Sequence, residues 1–145
     1  MIATWTRRAR THESHRMPEH QFQKHFTVAE ANALLPHVLS VFERIHALGA
    51  ELAAHQAALE SIHERAPGNG GSAATAEILV ISDAITRLMS DLEDKGILIK
   101  DVQAGLIDFP HLRENREVFL CWRMGEKSIE FWHEIEAGFR GRQPL

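Results

Sequence analysis

Eight positions between Val38 and Ile62 (Val38, Val41, Ile45, Leu48, Leu52, His55, Leu59 and Ile62) recur at alternating steps of three and four residues. That is the period of helices packed along a seam, and a strand, with its period of two, cannot present it as one face. A helix from Pro36 to Arg65 makes a rod of roughly 45 Å. Ala66–Gly71, APGNGG, breaks the pattern and reads as a turn. A second seam follows at Ala74, Ile78, Ile81, Ile85, Leu88 and Leu92, and Gly96 stands where a left-handed helix cap belongs. Two such rods joined by a short glycine-rich loop predict an antiparallel helical hairpin. Upstream, Thr27-Val28-Ala29-Glu30 has the spacing of a capping box. It predicts a short N-terminal helix to Leu35, which Pro36 separates from the long one. His55 interrupts the apolar seam, where a histidine suits either a ligand or pH-sensitive group or a polar residue that fixes register.

After Gly96 the period changes from helix to strand. Ile97–Val102, Leu106–Phe109, Glu117–Arg123 and Ile129–Ile135 are rich in β-branched and aromatic residues and are separated by short polar or glycine-bearing turns. Pro110 ends the second run, and His111–Asn115 reads as a loop. The fold class expected is therefore α+β: a long antiparallel helical hairpin with a short N-terminal helix, followed by a small antiparallel β-meander. The tail Gly138–Leu145, with Phe139, Arg140 and Arg142, has the chemistry of a segment that docks back.

A chain of 145 residues suits one domain. The expected limits are a disordered tail at 1–25 and a single domain at 26–145, divided into the hairpin (26–95) and the sheet with its C-terminal tail (96–145). The tail is polar and histidine-rich (His12, His15, His20, His25), and Met17 offers an alternative start. It contains arginines but no apolar stretch of the kind a secretory signal needs. Of the net charge of −4, residues 1–25 contribute +3, leaving −7 on the rest. An acidic body of this kind does not suit a phosphate-tracking groove, so nucleic acid is not the expected partner. No apolar run approaches the roughly 20 residues that span a bilayer. The single cysteine cannot form an intrachain disulfide, which suits the cytoplasm.

The candidate chemistry lies in the C-terminal block. Asp108 sits in an apolar strand, where an unpaired carboxylate is costly. His133 shares a strand face with Phe131 and Ile135, Glu134 follows it, and Cys121 lies on the neighbouring strand. Asp108, His133 and Glu134 are thus candidate ligands for a transition metal such as zinc, iron or manganese. The competing reading pairs Asp108 with Arg123, Arg140 or Arg142 and makes His133 a hydrogen-bonded core residue. Those three arginines are also the candidate anion or ion-pair residues. Cys121 as a nucleophile would need His133 as its base. Strand register, which decides the neighbours of Cys121, stays open, because turns of different length at Glu126-Lys127 give different pairings.

The segments FTVAEANALLP, GLIDFP, REVFLCWRMGE, FWHE and GFRGRQPL together resemble the bacterial family called domain of unknown function 2203, over Phe26–Leu145. The resemblance implies a bacterial protein and brings no assigned activity. Two functions are compatible with the residues. One is a non-enzymatic protein-interaction or scaffold module in the bacterial cytoplasm. It would be a homodimer, because Phe42, Leu79 and Met89 lie off the seams, and the hairpin could also receive a protein partner. The other is a metal-binding protein or metalloenzyme with its site on the C-terminal sheet.

Overall fold

Thr27 starts the helical part as the spacing predicts. Its hydroxyl accepts the Glu30 N–H at 3.1 Å, and the Glu30 carboxylate accepts the Thr27 N–H at 2.8 Å. In the computed structural model, which describes residues 19–66, 68 and 72–145, helix α1 then runs unbroken over Val28–Arg65. The expected short first helix is not a separate element. Ala31, Leu35 and Val38 all pack into the core on either side of Pro36, which keeps the helix continuous through it. Pro36 itself is exposed, so the carbonyl that loses its helical partner can turn to water.

Helix α2 (Ser72–Asp94) packs antiparallel on α1. Histidine–carboxylate contacts tie the two together at two points: His37 Nε2 to Asp91 Oδ2 at 2.7 Å and His55 Nδ1 to Glu77 Oε2 at 3.0 Å. His55 is thus a cross-seam polar contact. The N-terminal tail through Pro18, with His12, His15 and Met17, and the turn residues Pro67 and Asn69–Gly71 lie outside the described residues. Gly96, at φ +89°, ends the hairpin. Ile97 N–H bonds to the Leu92 carbonyl and Gly96 N–H to the Glu93 carbonyl, with Leu92 and Ile97 both buried. This double closure requires a left-handed residue and points the chain into the sheet.

The sheet is a five-stranded antiparallel meander: β1 (Leu98–Asp101), β2 (Leu106–Arg113), β3 (Arg116–Arg123), β4 (Phe131–Glu134) and β5 (Gln143–Pro144), in that spatial order. Strand β2 continues past Pro110 to Arg113, where sequence suggested a loop. The Pro110 carbonyl accepts the Phe26 N–H at 2.7 Å. Carbonyl and nitrogen of one strand residue point the same way, so the missing proline N–H faces the edge beyond β1 and costs no bond to β3. Glu114 and Asn115, both at positive φ, close the β2–β3 hairpin in two residues. The fifth strand is the docked tail, which pairs Phe131 with Pro144 and Trp132 with Gln143.

Both faces of the sheet are covered. Ile107, Phe109, Val118, Leu120, Trp122 and Trp132 meet the α1 residues Leu35, Val38, Phe42 and Ile45. The opposite face carries Asp108, Phe119, Cys121 and His133. Phe22 stacks edge-on against Phe119 on that face, and the short 3-10 turn Phe139–Gly141 leads the tail back to the sheet. Residues just inside the expected tail therefore hold structure. Gln21 and Phe22 N–H groups and His25 Nε2 all bond the Glu117 carboxylate.

Candidate functional site

Register brings the site together. Asp108 on β2 lies directly opposite Cys121 on β3, and Phe119, two residues back, lies opposite His133 on β4. Paired residues of adjacent antiparallel strands share a face, so carboxylate, thiol and imidazole converge. Asp108 is 2% exposed, and Cys121 and His133 are each 1% exposed. His133 Nδ1–H donates to the Glu134 backbone carbonyl at 2.7 Å, and Nε2 faces Asp108 Oδ1 at 3.1 Å. Lys100 Nζ lies 3.9 Å from Asp108 Oδ2 and over the Phe119 ring. A cavity of about 130 Å³ opens beside the three groups, walled by Leu106, Ile135, Gly138 and Phe139.

Burial works against an imidazolium at His133, yet the hydrogen bonds to Asp108 and to the Glu134 carbonyl outweigh it and raise its pKa. Burial, reinforced by the Asp108 charge, pushes the Cys121 thiol up to about 12. A thiol so held is no nucleophile at neutral pH. His133 cannot activate it, since one ring nitrogen is tied to a carbonyl and the other to Asp108.

Asp108 and His133 are together, as two of the three predicted ligands; Glu134 is not with them. Adjacent strand residues point to opposite faces, and the Glu134 carboxylate pairs with Arg116 Nη2 at 3.0 Å. Cys121, not Glu134, lies beside Asp108 and His133. Asp108 pairs with none of the three arginines. Arg142 forms a fork on Glu126, at 2.6 and 2.7 Å, donates to the Cys121 carbonyl, and stacks between Phe131 and Phe139. Arg123 lies over Phe139, and Arg140 is exposed on the 3-10 turn. Lys100 and Glu126 escaped the sequence reading. The signal for Lys100 was its place two residues along the strand from Leu98, which pairs with Asp108.

A second feature lies at the far end of the hairpin. Beyond Leu48 on α1 and before Ile81 on α2, none of the described residues is buried. This arm of two helices carries Ile62, Leu79 and Val80 at 38%, 64% and 69% exposure. No helix among the described residues is long and apolar enough to cross a membrane.

The molecule is thus an α+β protein with a helical pair on one face of an antiparallel meander and a buried carboxylate–thiol–imidazole cluster on the other. Residues 24–145 match the family model described as "Uncharacterized conserved protein (DUF2203)", and the chain belongs to that family. No curated protein and no solved structure matches it.

Proposed function

We propose that the protein is a non-enzymatic interaction module of the bacterial cytoplasm that self-associates through the outer arm of its helical hairpin. The observation that carries this reading is the adjacent pair Leu79 and Val80, 64% and 69% exposed on an arm where no described residue is buried. Large apolar side chains side by side on a helix that packs on nothing else mark a contact surface. Ala47, Ala50, Ala54 and Ala57 on α1 and Ala73 and Ala76 on α2 are also small and exposed, and small side chains let another helix approach closely. A two-fold dimer buries each residue twice. Four Leu and Val side chains at about 1.5–3 kcal/mol each supply about 6 kcal/mol or more before the cost of association. Sedimentation of the full chain at about 100 μM should give a dimer, and Leu79→Glu with Val80→Glu should give a folded monomer. A wild-type protein that stays monomeric at that concentration refutes the reading.

A further inference from the structure

We propose that Asp108, Cys121 and His133 form a binding site for one divalent transition-metal ion of the zinc class, with a water as fourth ligand. The three donor atoms come from three adjacent strands and lie within 4.8 Å of one another. Tetrahedral zinc, with bonds of 2.0–2.3 Å to such ligands, sets its donors about 3.3–3.8 Å apart, so each donor needs to move inward by less than about 1 Å.

The imidazole is already set as a ligand. Its Nδ1–H is fixed on the Glu134 carbonyl at 2.7 Å, which fixes the ring and turns Nε2 toward Asp108. Metal-bound histidines are held in this way by a carbonyl or carboxylate on the far nitrogen. An ion pair between Asp108 and His133 would account for those two residues alone. A metal site also uses the buried thiol that lies directly opposite the carboxylate.

Charge supports the same set. A divalent ion binds these groups in their deprotonated forms, so any proton on the Cys121 thiol or on His133 Nε2 leaves to solvent when it binds. Thiolate, carboxylate and neutral imidazole then sum to −2 against +2, so the buried centre is neutral. Lys100, at 40% side-chain exposure, is free to swing from Asp108 into water when the ion enters. Arg142 stays on Glu126 and donates to the Cys121 backbone carbonyl. A thiolate with an imidazole selects zinc, cobalt or iron over magnesium and calcium, which demand oxygen ligands. The cavity of about 130 Å³ has room for a water, whose share of liquid volume is about 30 Å³.

The test is cobalt titration of the full chain, expressed without a histidine tag and stripped with chelator. Cys121 is the only cysteine. A thiolate-to-cobalt charge-transfer band therefore identifies this site in the unmutated protein. It should saturate at one Co²⁺ per chain together with tetrahedral d–d bands, and one equivalent of Zn²⁺ should abolish it. Cys121→Ser should lose the charge-transfer band with its circular dichroism unchanged, and His133→Gln should bind at least about tenfold more weakly. Absence of the band in the wild type at one equivalent overturns the proposal. So do d–d bands without charge transfer that persist in Cys121→Ser. That result would place the ion on histidines elsewhere, such as His20 and His25 beside Glu117.

Discussion

Replacing Arg142 by alanine should release the C-terminal tail. The guanidinium and the Glu126 carboxylate form a two-pronged contact with side chains only 12% and 23% exposed. Breaking a fully buried pair costs about 3–5 kcal/mol, and an exposed pair is worth about 0–1 kcal/mol. This pair lies nearer the first case, at about 2–3 kcal/mol. Stacking on Phe131 and Phe139 adds about 0.5–1 kcal/mol for each ring. Arg142→Ala should therefore lose about 3–5 kcal/mol, read by urea unfolding at pH 7 through the buried Trp122 and Trp132. The loss should depend on pH in a set direction. Burial alone would raise the Glu126 carboxyl, but hydrogen bonds from Arg142 and from the Arg123 N–H outweigh it and hold its pKa down. A carboxyl lowered on folding contributes stability above its unfolded value, about 4.3, and loses it as pH falls through the folded value. The wild-type advantage should shrink in acid, leaving mainly the stacking contribution. A cost below about 1 kcal/mol at pH 7, or one that is the same at pH 7 and in acid, refutes the reasoning.

Two smaller changes test the backbone. Pro36→Ala should stabilise the protein by about 1–2 kcal/mol, since it restores a helical hydrogen bond at an exposed site at the cost of a freer unfolded chain; thermal unfolding at unchanged or lower temperature would contradict this. Gly105→Ala should cost about 1–3 kcal/mol, because Gly105 has φ +62° and an added Cβ would stand 2.7 Å from the Met124 Cβ. A chemical denaturation midpoint equal to the wild type would show that the turn is less constrained than its geometry.

Much of the architecture was legible. The alternating three–four seams fixed two helices and their packing faces, since only a helix repeats at that period. Thr27, Glu30 and Gly96 marked ends by local hydrogen bonding that depends on neighbours in sequence. Pro36 was misleading because its local cost is small beside the burial of Ala31, Leu35 and Val38, which acts across the fold. Pro110 misled for a similar reason: a proline is barred from a paired edge, and sequence does not reveal which edge is paired.

The site was half legible. Apolar surroundings singled out Asp108 and His133. Glu134 adjoins His133 in sequence, yet adjacent strand residues face opposite ways. The choice between Glu134 and Cys121, and between Lys100 and an arginine beside Asp108, belongs to strand register. The docking of Arg142 on Glu126 depends likewise on where the tail returns. The sequence by itself determined the elements, because period, capping and turn chemistry act over a few residues. Only the tertiary structure decided the partners of each buried charge, because cross-strand register is set by the whole sheet closing against the helices.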